Sequence, residues 1–195
     1  SDFVLESVLA PLLVGAIGFG GLFSVYTYLA STMLEVTHAS PSAIPPVLAL
    51  FGLGLTLGNL VCAWAADRAL MLSAGATLIW SACALALYPY ATGSVWTLGP
   101  VVFLIGCGGG LATILQTRLM DVAEDAQTLA AALNHSALNI ANAAGALLGG
   151  VVVSAGYGYL APSVVGVMLA VAGIAVTVVA LATARRQARH QPVGS

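Results

Sequence analysis

Charge is what this chain has least of. Only 6% of its 195 residues are Asp, Glu, Lys or Arg, against 60% hydrophobic ones. A water-soluble domain carries roughly 25% charged residues, so such a surface would not stay dispersed in water, and lipid is the expected solvent for most of the chain. Net charge is −2 and no basic block occurs, which removes the electrostatic footprint of a nucleic-acid groove. Cys62, Cys83 and Cys107 all sit inside apolar runs without Cys-x-x-Cys or Cys/His spacing. They are expected to be buried free thiols, neither a disulfide framework nor a metal site, and no cofactor is expected. Enzyme signatures are absent too: there is no G-x-S-x-G, no H-E-x-x-H and no paired carboxylates facing a cleft. Ser136 beside His135 is no dyad, because neighbours on a helix point about 100° apart. The chain opens on Ser-Asp-Phe-Val, with no initiator methionine and no secretory pattern. A processed start or a piece of a longer protein is expected.

What the chain has in quantity is long apolar runs. A membrane-crossing helix needs about 20 mostly apolar residues. Six stretches meet that length: 8–33, 45–66, 71–90, 95–117, 128–155 and 160–184. They are too long, and alternate too little, for barrel strands. Between them lie "THASPSAIPP", "ADRA", "YATGS", "RLMDVAEDAQ" and "GYGY", which carry the turn residues and charge. The basic residues are Arg68, Arg118, Arg185, Arg186 and Arg189. They follow spans two, four and six, and none follows spans one, three or five. Because arginine is retained on the cytoplasmic side, that side and both chain ends are assigned as cytoplasmic, with residues 185–195 forming a tail there. Glu35 and His38 then face outside.

Lipid tails are as apolar as leucine, so small residues and interhelical hydrogen bonds must hold the spans together. Glycines cluster in span one (Gly15, Gly18, Gly20, Gly21), span two (Gly54, Gly58), span four (Gly106, Gly108, Gly109, Gly110) and span five (Gly145, Gly149, Gly150). Each is ordinary packing surface taken alone; their density also permits sliding and bending. Span five carries the clearest polar set: His135, Asn139 and Asn142, four and three apart, share one helical face, and Gly149 continues it. Such groups belong against a partner helix or a watery cavity, so they read either as interhelical glue or as substrate contacts. His135 is a candidate proton carrier, although its place near the helix end suits an ordinary end residue as well. Tyr26 and Tyr28 suit either cavity lining or an interfacial belt. Tyr88, Tyr90 and Trp96 read as outer belt, Trp64 as inner belt, and Gln116 as an inner-surface residue. Every carboxylate (Asp2, Glu6, Glu35, Asp67, Asp121, Glu124 and Asp125) lies at or beyond a span end, so no titratable acid sits at depth.

Two weakened motifs give the pattern a family likeness. "AWAADRAL" resembles the loop signature G-x-x-x-D-R-x-G: Asp67 and Arg68 are kept, Ala63 and Leu70 replace its glycines, and Met71 and Leu72 replace its basic residues. "ANAAGALLGG", Ala141 to Gly150, resembles the antiporter motif g-x-x-x-G-P-x-x-G-G, with Ala146 in place of the helix-bending proline; this copy should be straighter and pack closely. Together with "RLMDVAEDAQTLAAALNHSALNIANAAGALLGG", nearly the whole chain resembles the C-terminal six-helix half of a major facilitator superfamily transporter, in its drug:proton antiporter branch of arabinose-efflux-like and chloramphenicol-resistance permeases.

The resemblance implies an all-α membrane protein whose spans are helices seven to twelve of a twelve-helix carrier. It implies proton-coupled efflux of small, partly apolar molecules, and an N-terminal half in the same polypeptide or in another chain. Asn139, Asn142 and Tyr26 would contact substrate, Asp67 and Arg68 would form the cytoplasmic gate, and Gly145, Gly149 and Gly150 would pack helices. Asp67 would face the positive N-terminal end of helix five in the missing half, and the start of span five near Thr128 would receive the matching acid. Two rivals stay open for a chain of this length: a non-transporting membrane protein that scaffolds or regulates a full-length carrier, and a six-helix carrier working as a homodimer.

Overall fold

A computed structural model describes residues 2–123 and 126–190. Glu124, Asp125 and the last part of the expected tail, residues 191–195, lie outside the described residues. Among the described residues the chain is helical between short turns: α1 (Asp2–Gly18), α2 (Gly20–Glu35), α3 (Ile44–Ala91), α4 (Val95–Cys107), α5 (Leu111–Ala123), α6 (Gln127–Val152) and α7 (Ala161–His190).

These seven helices make six crossings. α1 and α2 form the first, interrupted only at Phe19. α4 and α5 form another, joined through the three-residue turn Gly108–Gly110. α3 is the departure from the expected loops. Its helical pattern runs through "ADRA" and breaks at a single residue, Ala69 (φ −156°, ψ 74°). The two arms nonetheless fold back on each other: Cys62 Sγ and Thr77 Oγ1, 15 residues apart in sequence, lie 3.5 Å apart. Unbroken helix would separate them by about 22 Å. α3 is therefore two antiparallel crossings with a one-residue hinge. At the far end of the bundle, α6 closes in the widened turn Val153–Tyr157, and Gly156 (φ 89°) and Gly158 (φ 79°) supply the left-handed backbone that reverses the chain into α7. α7 runs on past the expected end of span six and takes Arg185, Arg186 and Arg189 into its helix.

The core is two clusters stacked along the helix axes. Leu29, Met33, Phe51, Leu85, Tyr88, Leu98 and Val102 fill the half near Glu35, and Val14, Leu78, Leu111, Ile114 and Leu115 fill the half near Arg118. Backbones approach closely at glycine. A Cβ on Gly54 would meet the Phe103 carbonyl, one on Gly58 the Cys107 backbone, and one on Gly106 the Phe51 carbonyl, so α3 and α4 nest into each other. Gly18 and Gly21 seat α1 and α2 against Gly173 and Gly166 of α7 in the same way. Large apolar side chains cover the outside, among them Leu60, Leu72, Leu147 and Met168. Cys83 is exposed among them, and Cys107 is half-buried, so of the three free thiols only Cys62 is buried as expected. A thiol behaves as a small apolar group, so lipid suits Cys83 as well as the core does.

Candidate functional site

α6 presents two faces of opposite character. Ala130, Asn134, Ala137, Ala141, Gly145 and Gly149 are buried. The small residues among them let α2 approach: a Cβ on Gly145 would strike the Gly20 carbonyl, and one on Gly149 would lie 2.8 Å from the Tyr28 ring. Tyr28 Oη then donates to the Ala146 carbonyl at 2.9 Å, and Gly150 lies beside that hydroxyl. Ser24 and Thr32, both fully buried, extend the seam by donating to Pro162 O (2.8 Å) in the first turn of α7 and to Tyr159 O (3.3 Å) in the turn before it. The segment Ala141 to Gly150 lies within continuous helix, without a bend-inducing proline.

His135, Asn139 and Asn142 occupy the other, exposed face of α6. Among the described residues none of the three side chains hydrogen-bonds to a neighbouring helix, so the glue role expected as their alternative falls elsewhere. Gly149, expected to continue that face, belongs to the buried one, covered by Tyr28. Tyr26 is 40% exposed on α2, its ring stacked on Phe51 with centroids 4.6 Å apart. Tyr26 and the two asparagines thus lie on the open sides of two helices that pack directly together, without touching one another.

Two side-chain to side-chain hydrogen bonds between helices were missed by the sequence reading. Asn134 is 3% exposed and donates from Nδ2 to Gln116 Oε1 at 2.7 Å. Three residues before Gln116, Thr113 donates to Asn59 Oδ1, also at 2.7 Å. Asn59, Thr113, Gln116 and Asn134 therefore form a polar band across α3, α5 and α6. Gln116, expected at the inner surface, is half-buried within it. Asn134 sits seven residues into α6, about 10 Å from the helix start. The signal was available in span four, where Thr113, Gln116 and Thr117 are spaced three and four apart on one face.

Asp67 and Arg68 end the first arm of α3 and are both exposed. The guanidinium turns back one helical turn rather than onto its neighbour. Arg68 Nη1 donates to the Trp64 carbonyl at 2.9 Å, and its Cζ lies 3.9 Å from the Trp64 ring centroid, a cation–π contact. Asp67 is left exposed beside the hinge. Among the described residues no cluster of three His, Cys, Asp or Glu gathers where a metal could sit.

A model of the Major Facilitator Superfamily matches residues 8–195. The inner membrane transport protein YdhP of Escherichia coli K12 is 33% identical over 183 residues, which are 92% of this chain and 46% of that protein. A protein named as a probable sugar efflux transporter of Pasteurella multocida is 33% identical over 84% of this chain and 42% of its own length. The uncharacterized MFS-type transporter YfhI of Bacillus subtilis is 30% identical over 78% and 38% respectively. The chain spans about half the length of the curated relatives it matches.

Proposed function

The chain belongs to the major facilitator superfamily, and from that premise we propose that it is the C-terminal half, helices seven to twelve, of an efflux carrier. The carrier exports small, partly apolar molecules by alternating access, driven by a proton gradient, from the inner membrane of a bacterium. The observation that carries the reading is the exposed face of α6. Asn139 and Asn142 lie about 18 and 22 Å along a helix that crosses the bilayer, yet their amides find no partner helix among the described residues. Amides at that depth do not face acyl chains; they face water, substrate or a second protein half. A cavity closed by an N-terminal half satisfies all three, whether that half is in the same natural polypeptide or in a separate chain. The names of two relatives, one an inner membrane transport protein and one an efflux transporter, agree with this assignment.

Within it, Asn139 and Asn142 hydrogen-bond the substrate and Tyr26 offers it an aromatic face. Asp67 reaches across the hinge end toward a helix N-terminus of the other half, while Arg68 holds the hinge at the interface through Trp64. His135 is the titratable group on the cavity face and takes the proton-carrier role if coupling runs through this half. Proton coupling is read out by collapsing the gradient with an uncoupler, which should stop export. The site is tested in the assembled two-half carrier. Replacing Asn139 and Asn142 together with Ala should lower transport at least tenfold with membrane insertion unchanged. Transport at the wild-type rate would remove both residues from the site.

A further inference from the structure

A groove of about 560 Å³ opens toward the arginine-bearing end, between residues 9–14 of α1, the start of the second arm of α3, Leu115 and Arg118 of α5, and residues 175–183 of α7. Its wall is mostly apolar and includes Leu9, Leu13, Met71 and Leu181. One charged side chain stands among these lining residues, Arg118, which is half-buried. Arg185 follows Leu181 by four residues and so lies on the same side of α7, one turn nearer the membrane surface. No residue of α2 or α6 lines the groove, which separates it from the candidate substrate face. It is continuous instead with the outward face of α7, where Val171, Val178 and Val179 are more than half exposed.

We propose that this groove is a binding site for an anionic phospholipid of the leaflet on the arginine side, one acyl chain lying along α7 and α1 and the phosphate meeting Arg118 and Arg185. The occupant follows from the surroundings. An apolar crevice open to the bilayer is filled by the solvent there, which is acyl chain. The arginines at its mouth then hold the phosphate through guanidinium's fixed fork of donors, and they favour an anionic headgroup because it brings no choline or ethanolamine cation to oppose their charge. Basic pockets between membrane helices on the cytoplasmic side bind anionic headgroups by this chemistry. The site requires membrane insertion only and is independent of what the carrier transports.

The test is native mass spectrometry of the detergent-purified chain given equal phosphatidylglycerol and phosphatidylcholine. Each arginine near the surface is worth about a fivefold preference for the anionic lipid, so roughly 25-fold is expected for the wild type. Arg118→Gln should reduce the preference about fivefold and Arg118→Lys should retain most of it. Ala175→Trp, filling the groove from an exposed position in its wall, should remove bound lipid of both kinds. Should Arg118→Gln not fold, Arg185→Gln on the exposed helix face gives the same reading. Equal retention of the two lipids by the wild type, detergent alone in the groove, or an unchanged preference in a folded arginine variant would each overturn the proposal.

Discussion

At the scale of single residues, the glycines divide by what surrounds them. Gly58 has the Cys107 backbone where a Cβ would go, and backbone cannot step aside as a flexible side chain can. Gly58→Leu should therefore force α3 from α4, costing about 3 kcal/mol and lowering the melting temperature in detergent by several degrees. Gly52 and Gly75 have nothing within 4 Å of that position, and Ala at either should leave the melt unchanged. A wild-type melt for Gly58→Leu would mean the two helices are not in contact there. The polar band gives a second prediction. Asn134→Leu strands the Gln116 carbonyl and should cost about 1 kcal/mol, the upper range of such bonds in membranes. Adding Gln116→Leu removes the stranded group and should recover most of that loss. Additive losses in the double variant would show that the two amides do not act as a pair.

At the scale of elements, the six crossings were legible in the sequence, because twenty apolar residues in a row have one economical use in a cell. Which face of each helix turns inward was much less legible. In water an apolar stripe marks the core, but in lipid both faces are apolar. Cys83 therefore looks the same in sequence whether buried or exposed, and the buried Asn134 is outshone by the exposed His135, Asn139 and Asn142 one step around the helix. The charged "ADRA" marked where a break was expected but not its form: Ala63 and Leu70 stand where the loop signature carries glycine, so nothing local announces a single-residue hinge at Ala69. The hairpin can be tested directly. In a chain lacking Cys83 and Cys107, Thr77→Cys places a thiol against Cys62, and mild oxidation should crosslink the two arms of α3. Fragments released by cleavage at a protease site inserted near Ala69 should stay joined until reduced. A single straight helix would hold the sulfurs about 22 Å apart, and the fragments would separate.

At the scale of the whole molecule, the fold sorts charge by end. The groove gathers residues 9–14 of α1, the hinge region of α3, Leu115 and Arg118 of α5, and residues 175–183 of α7, so Arg68, Arg118 and Arg185 lie toward one side of the bundle. Glu35 and the Pro41–Ala43 turn emerge on the other. This bias follows the energetics of insertion, in which loops bearing arginine are held on the cytoplasmic side. On that proposed orientation Asp67 would open to the cytoplasm, and the Asn139–Asn142 face would lie between the two ends. Labelling decides the orientation. With the three native cysteines replaced by Ala, Ser42→Cys, exposed in the turn before α3, should react with a membrane-impermeant maleimide in intact cells. Gln127→Cys, exposed at the start of α6, should react only after the membrane is permeabilised. The opposite pattern would invert the bundle. Asp67 and the lipid groove would then lie on the outer side, and a latch closing the cytoplasmic gate would have to be sought at the Glu35 end instead.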